Sequence, residues 1–107
     1  MVNKIYGLLG ICAKAGKLTV GTEAVIESVL KNQIELVIIA EDTSQKTKQK
    51  IENICKEKNV AVKNFGTIFD NSKAIGKVNK AIIGIKDKNL AKAMLEKICG
   101  GEMLEGK

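Results

Sequence analysis

Histidine, proline, arginine and tryptophan are all missing from this chain of 107 residues. Without histidine the commonest general base is gone, and neither a Cys–His nor a Ser–His–Asp nucleophile can be built. The three cysteines, Cys12, Cys55 and Cys99, include no C-x-x-C pair. A zinc site needs four Cys or His ligands at short spacings, so no metal is expected. Glycines follow neither the Rossmann nor the P-loop spacing, so no nucleotide cofactor is expected either. Aromatic residues are down to Tyr6, Phe65 and Phe69, too few for a platform on which successive bases of a single strand could stack. No apolar run approaches the roughly 20 residues of a membrane span. The first residues, Met-Val-Asn-Lys, do not open a signal peptide. The expectation is a cytoplasmic protein with no membrane contact.

Lysine is present in excess. Every one of the 18 basic residues is lysine, against 12 acidic ones, which leaves a net charge of +6. An AT-biased genome accounts for lysine in place of arginine, but not for the surplus over acid, which attracts polyanions. Any phosphate contact is then made by a point charge and not by a bidentate fork. Apolar residues make up 45 % of the chain, enough for a core of Ile, Val, Leu and Ala. The length fits one domain, placed at residues 1–99 with a flexible C-terminal tail at 100–107.

Apolar spacing divides the chain into short alternating elements. Ile5, Leu8, Leu9 and Cys12 recur at helical period, predicting a helix over 3–15 that Gly16 ends. Lys17–Val20 reads as a short edge strand, Gly21 as a break, and 22–32 as a helix with Val25, Ile26, Val29 and Leu30 inward. Residues 36–40 are apolar throughout, as in a strand covered on both faces. Asp42, Thr43 or Ser44 can cap a helix over 44–58 with Thr47, Ile51, Ile54 and Cys55 inward, and Asn59 stops it. A strand over 60–63, a short helix from Thr67 to Ile75, a loop at 76–79 and an apolar strand over 81–85 follow. Asp87 caps a final helix, 88–98, facing inward through Leu90, Ala91, Met94, Leu95 and Ile98, with Gly100-Gly101 as its end. Strands alternating with helices predict an α/β fold, a three-layer α/β/α sandwich around a small mixed four-stranded sheet.

Chemistry on such sheets gathers at strand ends. The start of the second helix, Gly21-Thr22-Glu23-Ala24, leaves backbone N–H groups free, and a helix start carries partial positive charge. Water can satisfy those amides; so can phosphates or base edges. Glu23 suits the helix dipole, repels phosphate, and can accept from exposed base amino groups. Lys14, Lys17, Lys73 and Lys77 flank this loop and the 76–79 loop, and form one basic patch if the loops are neighbours. The lysines of the third helix read as its solvated face. Glu41 and Asp42 invite an acid–base reading, but adjacent residues on extended chain point to opposite sides, and capping accounts for Asp42. Gly7 and Gly10 fall inside an apolar helical pattern, where close helix packing explains them.

These residues resemble a known family. A helix followed by Ala13-Lys14-Ala15-Gly16-Lys17-Leu18, the Gly21-Thr22 helix start, Leu36–Asp42 and Lys73–Lys77 are similar to the L-seven-Ae superfamily of ribosomal-protein-like RNA binders, nearest its small bacterial YlxQ-like branch. The likeness spans about residues 3–98. It implies an α/β/α sandwich that is not an enzyme and that docks kink-turn or related RNA. In such proteins the helix after the first strand enters the groove at tandem G·A pairs, and the loop before the last strand packs on a flipped-out nucleotide. The resemblance implies structured RNA as partner, ribosomal RNA included, together with ribosomal or translation-factor proteins. Its RNA-binding residues here are Lys14, Lys17, Gly21, Thr22, Glu23, Lys73, Lys77 and Val78. Kink-turn binders read Gly-Thr-Asn-Glu-x-x-Lys at the helix start. This chain has Glu23, Ala24 and Glu27 at the last three named positions, so the G·A-reading role does not carry over to Ala24 or Glu27. Asn71-Ser72 likewise replace a Leu-Gly pair. A protein-interaction module of the same fold, without specific RNA readout, is the alternative those changes favour.

Overall fold

The computed structural model describes residues 3–105, with side-chain burial described through Ile98. Nine elements alternate in the expected order: α1 (Lys4–Lys14), β1 (Leu18–Val20), α2 (Thr22–Leu30), β2 (Leu36–Ile39), α3 (Gln45–Glu57), β3 (Ala61–Asn64), α4 (Ile68–Ala74), β4 (Ile82–Ile85) and α5 (Lys88–Glu105). The sheet has the order β1-β4-β2-β3. β4 pairs antiparallel with both β1 and β2, while β2 and β3 run parallel. The two continuous apolar runs are therefore the two central strands, buried at every position. The two strands with mixed sequence lie at the edges, half-covered.

The pleat sends alternate residues of the central strands to opposite faces. Leu36, Ile38, Ile83 and Ile85 join Ile5, Leu9, Cys12, Ala91 and Met94 in one core, and Val37, Ile39 and Ile82 join Val25, Val29, Ile51 and Cys55 in the other. That is a three-layer sandwich. Gly84 keeps the second core closed, because a Cβ there would lie 2.9 Å from Ile34 Cδ1. Burial lifts the thiols of Cys12 and Cys55 to about 11, with Asp87 a lesser contributor at Cys12. Among the described residues no group of His, Cys, Asp or Glu is placed to hold a metal ion, and no helix is long and apolar enough to cross a membrane.

Local chemistry sets most boundaries where the sequence puts them. Asn3, Ser44, Thr67 and Asp87 side chains accept from the first-turn amides of α1, α3, α4 and α5. Asn59 has a φ of 59° just past α3, a left-handed conformation that ends a helix.

Three details differ. Leu30 is 51 % exposed, not inward, because it is the last residue of α2, rotated a third of a turn from Val29, and the inward face is shared instead by Ser28, whose Oγ donates to Thr19 Oγ1 at 3.4 Å. Of the two α1 glycines only Gly10 makes a close approach: a Cβ there would sit 3.3 Å from the Ala74 carbonyl, whereas Gly7 faces open space. α5 continues through Gly100-Gly101 to Glu105, since glycine weakens a helix without forbidding it. Of the tail expected at 100–107, residues 106 and 107 lie outside the described residues.

Candidate nucleic-acid interface

Gly21 makes the turn from β1 into α2. Its φ of 97° and ψ of 149° are open to glycine and strained for any other residue. It serves as N-cap with no side chain to offer. Its own N–H donates to the Ile82 carbonyl at 2.9 Å, and its carbonyl accepts the Val25 N–H at 3.0 Å. The N–H groups of Thr22, Glu23 and Ala24 belong to the first turn and have no intrahelical acceptor. The helix start therefore presents donors that have no acceptor among the described residues, and the positive end of its dipole. Thr22 is half-buried there and Glu23 is exposed. Glu23 leans toward α3, its Oε2 3.9 Å from Lys50 Nζ, with both side chains largely in water. Such a pair contributes little to stability.

The 76–79 loop lies at the same end of the sheet. It leads into Ile82, the residue that accepts from Gly21. Its shape is set by Ser72, which is buried in α4. The Ser72 hydroxyl accepts the Lys80 N–H at 2.8 Å and donates to the Lys80 carbonyl at 3.3 Å. The Ser72 carbonyl accepts the Lys77 N–H at 2.8 Å. Asn71, fully buried beside it, donates through Nδ2 to the Phe65 carbonyl at 2.8 Å. Asn71 thus ties α4 to Phe65, the residue that follows β3, and Ser72 closes the loop.

Three contiguous depressions connect the expected basic residues. Lys14 and Lys73 line one between α1 and α4, with Gly10, Ala13 and Gly76. Lys77 lines a second of about 400 Å³ with Gly16, Leu18 and Val20. Lys73, Lys77 and Val78 line a third with Phe69 and Asn79. Lys14, Lys73 and Lys77 are brought together. Lys17 is not. It precedes β1, and its carbonyl accepts the Lys86 N–H at 2.9 Å, which puts it at the opposite end of β1 from Gly21, about 13 Å of extended chain away.

The amino-acid sequence offers Phe69 and Tyr6 only as scarce aromatics and Asp42 only as a candidate cap of the next helix; the structure gives each a place at this end of the molecule. Phe69 is 72 % exposed beside Val78, itself 82 % exposed. The signal was available: Ile68, Asn71, Ser72 and Ile75 occupy the inward face of α4, so Phe69 falls outside it. Asp42 does cap a helix, but not the next one. Its Oδ1 accepts the Ile68 N–H at 2.8 Å, fastening the β2–α3 loop to the start of α4. That commits the Asp42 carboxylate to a structural bond, and Glu41 beside it is, like Asp42, exposed. Tyr6 packs on Phe65 with ring centroids 5.1 Å apart. Its phenol is raised above the ordinary value by burial and then by the Asp70 and Glu41 charges.

Comparison with known proteins fits this geometry. Residues 3–80 match the ribosomal protein L7Ae/L30e/S12e/Gadd45 family. The RNA-binding protein YlxQ of Enterococcus faecium is 31 % identical over 98 residues, covering 92 % of this chain and 94 % of that protein. YlxQ of Bacillus subtilis is 26 % identical over 90 residues, covering 84 % and 90 %. A solved protein of unknown function from Bacillus halodurans superposes with a TM-score of 0.88 at 33 % identity, covering 91 % of this chain and 98 % of that one. The Giardia lamblia 15.5 kD RNA-binding protein shares the fold at a TM-score of 0.79 and 21 % identity, covering 94 % and 87 %. With a match over most of its length and a relative above 30 % identity, the chain belongs to the ribosomal protein L7Ae/L30e/S12e/Gadd45 family, alongside the YlxQ proteins.

Proposed function

We propose that this is a non-enzymatic RNA-binding protein, associated with the ribosome or translation, that docks structured, kink-turn-like RNA at the Gly21 end of its sheet. The observation that carries the reading is the junction at Ile82. There the unpaired amides of α2 and the Lys77-Val78 loop become neighbours through the Gly21 N–H bond to the Ile82 carbonyl. The RNA-binding names of the YlxQ relatives support it. Phosphates sit against the α2 start and against Lys14, Lys73 and Lys77 as point contacts. An unpaired base lies on the apolar surface of Val78 and Phe69. Glu23, held beside Lys50, accepts from a base amino group and does not meet phosphate. With Ala24 and Glu27 in place of base-reading side chains, readout depends on shape, backbone and this one unpaired base more than on G·A edges.

Crosslinking with sequencing in the native cell tests the reading. One structured RNA, enriched with the wild-type protein and lost with Lys77→Glu, is the expected result. Absence of any enriched RNA contradicts it.

A further inference from the structure

β1 is an edge strand, and its free side is unused by the RNA reading. Its register with β4 pairs Leu18 with Ile85 and Val20 with Ile83. The bonds at either end run from the Gly21 N–H to the Ile82 carbonyl and from the Lys86 N–H to the Lys17 carbonyl. In an antiparallel ladder hydrogen-bonded pairs alternate, so Lys17, Thr19 and Gly21 face β4. The N–H and C=O groups of Leu18 and Val20 therefore point outward. Beside them opens the depression of about 400 Å³ floored by the Leu18 and Val20 side chains, Ala13 and Ile75. It continues between α1 and α4 past Lys14 and Lys73. Among the described residues no acidic side chain lines either part.

We propose that the β1 edge and this groove bind an extended, acidic peptide segment of a partner protein by strand addition. The edge alternates donor and acceptor, as a peptide backbone does. Phosphate oxygens only accept, so RNA phosphates cannot satisfy the Leu18 and Val20 carbonyls; a ribose 2′-OH can donate to one, but only a peptide backbone supplies donor and acceptor together at the strand repeat. The apolar floor takes side chains from alternate positions of the peptide. The lysines at the rim meet carboxylates at its ends. Three strand residues between Gly16 and Gly21 limit the pairing to a short segment, and the binding is weak and reversible. Lys14, Lys73 and Lys77 belong both to this groove and to the RNA surface, so the two ligands compete there.

The test uses the full-length, isotope-labelled protein and the peptide acetyl-Asp-Glu-Val-Thr-Val-Glu-Asp-amide, with amide exchange read by NMR. The controls are the same peptide N-methylated at alternate residues, an analogue with lysine for each acid, and a uridine oligonucleotide. At saturating peptide the Leu18 and Val20 amides should exchange about tenfold more slowly, the effect of hydrogen bonding them in the complex, while Thr19 and Gly84 change little. N-methylation should weaken binding about tenfold or more, because it removes main-chain hydrogen bonds without altering the protein. The lysine analogue should not bind. Equal binding by the N-methylated peptide, or no protection of Leu18 and Val20 by any peptide, overturns the proposal. Protection of those two amides by the oligonucleotide as strong as by the peptide also overturns it and assigns the edge to RNA.

Discussion

Single residues decide how tightly the second core closes and what its neighbours can become. A Cβ on Gly84 would stand 2.9 Å from Ile34 Cδ1, so the tip of that buried side chain would have to shift. Gly84→Ala should cost about 1–3 kcal/mol, the usual range for overpacking. Ile34→Val removes the offending Cδ1, so the double variant should recover part of that loss in urea denaturation. The two buried thiols give a pH signature. Their folded pKa of about 11 lies above the ordinary 9.0. Between those values the unfolded chain has lost protons that the folded one keeps, so stability falls as pH rises. The contribution is fully present below pH 9 and disappears through pH 11. Replacing both cysteines with alanine should flatten that part of a stability-against-pH curve. Phe69 is different in kind. Its exposure means that Phe69→Ala leaves the melting temperature nearly unchanged. If a base lies on the ring, RNA affinity should fall by about 1–3 kcal/mol, the cost of one lost stacking contact.

Elements explain why some of the fold was legible and some was not. A strand buried on both faces must be apolar throughout, so β2 and β4 announce themselves. Caps act within three residues, so Ser44, Thr67 and Asp87 are readable too. Contacts between distant segments leave no local trace. Asp42 sits beside a helix start in sequence, yet its partner amide belongs to Ile68, 26 residues on. Lys17 adjoins Lys14 in sequence, yet the α1–β1 turn sends it toward Lys86. The sheet order, with β4 inserted between β1 and β2, is what makes neighbours of Gly21 and the 76–79 loop. Polar Asn71 and Ser72 look like surface residues and are core ones. Ser72→Ala tests that role. It removes the partner of the half-buried Lys80 N–H and should cost about 1 kcal/mol, the net contribution of one such hydrogen bond. Faster amide exchange confined to 76–80 would show that the loop, not the whole fold, has been released.

At the scale of the molecule, the sheet has one end that carries unpaired α2 amides, Lys73, Lys77, Val78 and Phe69, and an opposite end where Lys17 meets Lys86. Net charge alone does not distinguish them, because a surplus of six positive charges draws RNA to either. What distinguishes them is local. At the Gly21 end the α2 first-turn donors, the Lys77 charge and the exposed apolar surface of Val78 and Phe69 coincide. The most direct measurement is the salt dependence of affinity for a kink-turn RNA in the wild type, Lys77→Glu and Lys17→Glu. Three or four phosphate contacts predict a slope of log K against log salt of roughly −2 to −4 in the wild type. Lys77→Glu should make it shallower by about one as affinity falls, and Lys17→Glu should leave it nearly unchanged. A slope near zero, or equal effects of the two substitutions, would contradict RNA docking at the Gly21 end.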